Sequence, residues 1–186
     1  FPTAIIPYDY PAYAKSKGRF VMVTTNCISG EANYFEEKYN PQKIMEVVRA
    51  SSSLPFVCPV SYVAGTPMLD GGVADSIPFE FARKEGYTNS LVILTRNKGY
   101  RKDISKSKLI AKLFYPQYPN LVKAIISRNE RYNSTLDKLE EMEANGEISV
   151  LRPVAPIEVS RMEKDVAKLE KLYNEGYTLA SKLEIK

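Results

Sequence analysis

Thr66-Pro67-Met68-Leu69-Asp70-Gly71-Gly72-Val73-Ala74-Asp75-Ser76-Ile77-Pro78 decides how the chain is read. A short apolar β segment, Thr66 to Leu69, runs into an acid and two glycines, and a helix follows from Pro78 to about Glu85. An Asp at the end of a strand, pinned before Gly71 and Gly72, sits on a sharp turn whose backbone is expected to need positive φ. A partly shielded carboxylate there can serve as a general base or orient one. Taken bare, the same tripeptide also makes ordinary turns.

The flanks supply the architecture. Upstream, Arg19 to Thr25 is a continuous β-branched and apolar run that suits a strand buried on both faces. Asn26 to Glu31 turns, and Ala32 to Phe35 returns as a short strand. Pro41 opens a helix through Arg49 that Ser51-Ser52-Ser53-Leu54-Pro55 stops. Val57 to Val63 is a further β segment, joined to Thr66 through Gly65. Downstream, Leu91 to Leu94 reads as a second buried strand. Strand alternating with helix argues an α/β fold with a mostly parallel sheet and helices on its faces. Phe1 to Lys17, rich in Pro and Tyr, is an extended lead-in with one short helix. Leu121, Ile125, Tyr132, Leu136, Leu139 and Met142 stripe a long helix from about Pro119 to Glu143. Ile148 to Leu151 is a short strand. Val166, Leu169, Tyr173, Tyr177, Ala180 and Leu183 stripe a terminal helix, and both stripes are expected to face the core.

Composition narrows the chemistry. The chain has 186 residues and no histidine, so it cannot build a Ser-His-Asp triad, a Cys-His pair or a histidine-ligated metal site by itself. Cys27 and Cys58 have neither the number nor the spacing of a disulfide framework or zinc site, so no metal is expected, and buried thiols point to a reducing cytoplasm. No apolar run reaches the roughly 20 residues that span a bilayer. Between Arg96 and Lys112 seven basic residues (Arg96, Lys98, Arg101, Lys102, Lys106, Lys108 and Lys112) face one acid, Asp103. That segment is +6 of a net +4, which leaves −2 for the rest, so the basic excess is local. Arg96, Lys98, Arg101 and Lys102 are the candidate contact for anionic head groups at a membrane surface, on an edge expected to be shared with Asp70. The competing reading is a solvated loop, and no nucleic-acid motif accompanies the charge.

Two blocks, Arg49-Ala50-Ser51-Ser52-Ser53-Leu54-Pro55 and Leu69 to Pro78, resemble the second signature of patatin-like phospholipases. There an Ala-Ser-x-x-x-Pro piece precedes the catalytic Asp-Gly-Gly. Pro7-Tyr8-Asp9-Tyr10, Val23-Thr24-Thr25-Asn26-Cys27, Ile93 to Tyr100, Tyr118-Pro119 and Glu130-Arg131-Tyr132-Asn133 are similar to one bacterial branch of the family. The resemblance implies a partial patatin-like three-layer fold, with residues 1–105 the C-terminal half of the hydrolase domain and 106–186 a mainly helical extension. It also implies a lipid acyl-ester hydrolase with a Ser-Asp dyad and no cofactor. Asp70 carries over as the base, Gly71 and Gly72 as the turn that aims it, and Asp75 as a structural residue.

One departure is large. No Gly-x-Ser-x-Gly elbow and no Gly-rich oxyanion loop occur in the chain. Both are expected to precede Phe1 in a longer protein, so the chain alone is expected to be inactive. Ser51, Ser52 and Ser53 lack the elbow and read as helix-terminating residues. The expected partners are a lipid or acyl-ester substrate, the missing N-terminal half, an anionic membrane surface and further copies of the chain. The alternative function is a non-catalytic lipid-binding or assembly module. The expected location is cytoplasmic, peripheral to a membrane.

Overall fold

A computed structural model describes residues 7–103, 108–160 and 163–183. Lys106, one member of the basic run, lies outside them. The elements in chain order are α1 (Tyr10–Lys15), β1 (Val21–Asn26), β2 (Ala32–Glu36), α2 (Pro41–Ser51), β3 (Ser61–Val63), β4 (Thr66–Asp70), α3 (Phe79–Lys84), β5 (Leu91–Ile93), α4 (Lys108–Phe114), α5 (Pro119–Ala144), β6 (Ser149–Leu151) and α6 (Val166–Ser181). The mixed α/β class is as expected, but the sheet is not.

Four strands form one sheet in the order β2-β1-β4-β3, and every neighbouring pair in it is antiparallel. The cause is local. A tight turn joins β1 to β2, closed by Gly30 N–H on the Asn26 carbonyl. β3 and β4 are joined by Ala64 (φ +48°) and Gly65 (φ +79°), two left-handed residues that make a type I′ hairpin. A hairpin reverses the chain, so its strands cannot run parallel. Among the described residues the one parallel pair is β5 with β6, in a separate two-stranded sheet.

The chain divides into two compact units, Phe1–Pro78 with Asp103–Tyr132, and Phe79–Lys102 with Asn133–Lys186. In the first, the strand alternation sends neighbours to opposite faces of the sheet. Met68 packs with Met22, Val63, Val47 and Ala50, which covers one face with α2. Leu69 packs with Cys27, Val73, Ala111, Tyr115, Leu121 and Ile125, which covers the other with α4 and the start of α5. Desolvation in that second layer pushes the Cys27 thiol up to about 12, as an inert buried thiol requires.

In the second unit Val92 is buried, while Leu91 and Ile93 are exposed. Leu91 to Leu94 is therefore a strand covered on one face, not on two. Leu136, Leu139 and Met142 of α5 are buried as their spacing predicts. The α6 stripe is not: Val166, Leu169, Tyr173 and Tyr177 are all exposed, and the helix holds no buried residue. No helix among the described residues is long and apolar enough to cross a membrane.

Candidate functional site

Asp70 is the last residue of β4, and β1 holds it there by pairing Thr24 with Asp70 and Thr25 with Leu69. Its backbone N–H donates to the Ser53 carbonyl at 2.9 Å. The Thr25 hydroxyl donates to the Asp70 carbonyl at 2.8 Å and accepts the Ala74 N–H at 3.1 Å. Thr25 is fully buried, so this bridge is shielded from water and fixes both ends of the turn. The chain then winds through one 3₁₀ turn, Gly71–Val73, whose N-cap is Asp70. Asp70 Oδ1 accepts the Gly72 N–H at 2.7 Å. Among the described residues Oδ2 has no hydrogen-bond partner, which leaves one carboxylate oxygen to receive a proton.

The two glycines are needed for space and not for positive φ, since neither adopts it. A Cβ on Gly71 would lie 2.3 Å from the Val23 carbonyl oxygen, a backbone atom that cannot turn aside. A Cβ on Gly72 would lie 2.9 Å from Asp70 Oδ1 and 3.5 Å from Arg128 Nη2. The tripeptide predicts a left-handed turn, and the structure shows close approach instead, which depends on the neighbouring strand and helix.

Three serines precede the site, the first of them, Ser51, as the last residue of α2. Ser52 caps α2, and Ser53 is buried with its hydroxyl on the Arg49 carbonyl at 2.8 Å and against Ser61 Oγ at 2.8 Å. Ser53 thus ends a helix and, through its carbonyl, anchors Asp70. Asp75 accepts the Tyr34 hydroxyl at 2.6 Å. Burial first, and then that carboxylate, hold the Tyr34 phenol well above its ordinary range.

Two arginines close the other side of the turn: Arg128, and Arg131 of the Glu130-Arg131-Tyr132-Asn133 block, to which the sequence assigned no role. Arg128 Nε donates to the Gly72 carbonyl at 2.6 Å, and Arg131 Nη2 donates to the Val73 carbonyl at 2.7 Å. Burial lowers the basicity of Arg131, partly offset by the Asp75 carboxylate. Only their spacing, three apart on one helix face, was available as a signal.

The four candidate head-group contacts, Arg96, Lys98, Arg101 and Lys102, lie in the second unit, whereas Lys108 and Lys112 lie in the first. Because β5 pairs with β6 and not with Asp70's sheet, those four do not extend the strand edge that carries Asp70. Arg101 is engaged by Asp137 at 2.6 Å and by Glu140 at 3.0 Å. Glu140 holds the guanidinium above its usual range, and Arg101 in turn holds the Glu140 carboxyl below its own. Lys102 exchanges two 2.8 Å backbone bonds with the Asn133 side chain. Arg96 lies over the Tyr100 ring at 5.0 Å. Lys98, with a side chain 69% exposed, approaches Glu143 only to 4.0 Å.

Comparison with known proteins divides along the same stretch of chain. Residues 118–183 match a family model described as a domain of unknown function (DUF6363). Lysophospholipase NTE1 of Scheffersomyces stipitis is 24% identical over 176 residues, covering 89% of this chain, and the chain spans 11% of that relative's length. Residues 16–83 match the model of the patatin-like phospholipases. The chain is thus patatin-like over residues 16–83, the segment that holds Asp70, Gly71 and Gly72.

Proposed function

We propose that this chain supplies the general base of a lipid acyl-ester hydrolase that works by a Ser-Asp dyad. The observation that carries the reading is Asp70 itself. It stands at a strand end inside the patatin-like match, with Oδ1 fixed by the Gly72 amide and Oδ2 open. The nucleophilic serine and the oxyanion amides come from a segment outside this chain, since no elbow exists within it. In the acylation step the serine hydroxyl gives its proton to Asp70 as its oxygen attacks the ester carbonyl. The tetrahedral adduct collapses, and the protonated Asp70 returns that proton to the departing alcohol. Water, deprotonated by the same carboxylate, then releases the fatty acid. The scheme needs no cofactor.

The family models at 16–83 and 118–183 fall on either side of residue 105, which supports a hydrolase half over 1–105 and a helical extension over 106–186. The compact units do not follow that line, because 103–132 packs with the hydrolase half.

The test is hydrolysis of a short-chain p-nitrophenyl ester by the parent protein carrying both halves. Asp70→Asn should lower kcat by about 10²-fold or more, the contribution of a positioned general base. Full activity in that variant overturns the assignment. A parent that binds lipid vesicles but hydrolyses no ester would favour a lipid-binding or assembly module instead.

A further inference from the structure

The segment matched as a domain of unknown function begins with α5, and α5 reaches the Asp70 turn directly. We propose that Arg128 and Arg131 of this helix are positioning residues for the base: they clamp the two carbonyls of the 3₁₀ turn that aims the Asp70 carboxylate. The inference rests on the reading of Asp70 as a base.

A 3₁₀ turn of three residues is weakly held by its own hydrogen bonds. The turn Gly71–Val73 has two glycines, which lose much backbone freedom when ordered. It therefore needs outside support to hold a carboxylate still. Thr25 fixes the two ends of the turn, and the helix supports its middle. The Gly72 carbonyl accepts Arg128 Nε at 2.6 Å and the Ser76 hydroxyl at 2.6 Å. The Val73 carbonyl accepts Arg131 Nη2 at 2.7 Å. Both are charge-assisted bonds, stronger than neutral ones.

Arg131 is itself fixed, since its guanidinium also binds the Ala124 carbonyl at 2.8 Å and the Ser127 hydroxyl. That places a pre-set fork on the turn, with little side-chain freedom left to lose. Arg128 contributes charge as well as a bond. Its Nη2 lies 3.5 Å from the point a Gly72 Cβ would occupy, and Asp70 Oδ1 lies 2.9 Å from that point. The guanidinium and the carboxylate thus share one small space that only glycine at 72 leaves open. The helix is held to this unit by Leu121, Val122, Ala124 and Ile125 in the core beside Leu69 and Val73. The first stretch of the extension is by this account a structural part of the hydrolase site.

The test uses the full-length parent and a p-nitrophenyl ester, with Arg128→Gln, Arg131→Gln, Arg128→Lys and Asp70→Asn. Arg128→Gln should lower kcat by about 10- to 100-fold, the scale of a base displaced by about 1 Å. KM should stay within about twofold, because a positioning residue touches no substrate. Arg128→Lys, which keeps charge and a donor, should recover part of the loss, and Arg131→Gln should resemble Arg128→Gln. In the Asp70→Asn background Arg128→Gln should cost nothing further, since its effect runs through Asp70. Should Arg128→Gln fail to fold, the Lys variant carries the same comparison. Wild-type kcat in a folded Arg128→Gln protein, with Asp70→Asn inactive, overturns the clamp and leaves the base assignment standing. An equal further loss in the Asp70→Asn background also overturns it. Full activity of Asp70→Asn overturns both.

Discussion

At the residue scale, the site is a problem of space before it is one of charge. Gly71 lies so close to β1 that a Cβ would meet the Val23 carbonyl carbon at 2.5 Å as well as its oxygen at 2.3 Å. Both atoms belong to the strand that registers Asp70, so relief must come from separating β4's end from β1. Gly71→Ala should therefore destabilise the protein by about 1–3 kcal/mol, as overpacking of an ordered site does. Gly176 is the contrast, since it lies in α6 with nothing within 4 Å of its Cβ position. Gly176→Ala should be neutral or stabilising, by about 0.5–1 kcal/mol of helix propensity. Thermal melts of the two variants side by side check this. A Gly71→Ala protein that melts with the wild type would show that the turn tolerates a side chain.

At the element scale, the basic run is partly an anchor. Arg101 ties the loop after β5 to α5 through Asp137 and Glu140, with two nitrogens on each carboxylate. A guanidinium held by two acids is not available to a lipid phosphate. Arg96 and Lys98 have no comparable carboxylate grip and are the part of the run that suits a head group. We expect Arg96→Glu with Lys98→Glu to weaken binding of the parent protein to anionic vesicles, at about 1 kcal/mol per charge, with the melting temperature unchanged. Arg101→Glu should instead lower the melting temperature, because it sets three acids against one another. Vesicle binding untouched by the first pair would remove the membrane role from this segment. The difference between Arg101 and Lys98 was not legible from the sequence. Both are cations at or just after the Lys98-Gly99 turn, and only the register of α5, some forty residues away, sets two carboxylates close on Arg101 and one at 4.0 Å from Lys98. The helices were legible, since α2 and α5 both open on Pro and carry apolar stripes, signals that are local. Strand direction was not. Asn26 to Glu31 reads as a turn and Gly65 as a link, but the alternation of strand and helix points to a parallel sheet, and only the paired strands show that both connections are hairpins.

At the scale of the whole molecule, periodicity sends both the α5 and the α6 stripe to the core, and the structure buries only the first. α5 and α6 have similar periodicity, but Leu136 and Leu139 are buried whereas Tyr173 is 70% and Tyr177 66% exposed. Periodicity says which residues share a face, and the amount of chain packed against that face decides its burial. Val166, Leu169, Tyr173 and Tyr177 leave one side of α6 apolar and solvated, with the two tyrosine rings stacked 6.3 Å apart. The four-stranded sheet likewise ends in two edge strands, β2 and β3, and β3 carries Tyr62 exposed. Edges and apolar faces of this kind are where chains associate. The isolated chain should therefore sediment above its monomer mass of 21.0 kDa at micromolar concentration and bind an apolar dye. Leu169→Lys with Tyr173→Lys should reduce both effects if α6 is the contact, and should leave them unchanged if the sheet edge is. A monomer without dye binding would show that neither surface is adhesive. Fusion to the segment proposed to carry the serine separates the cases further: loss of association there assigns the surface to that proposed segment, and persistence assigns it to a second copy of the chain.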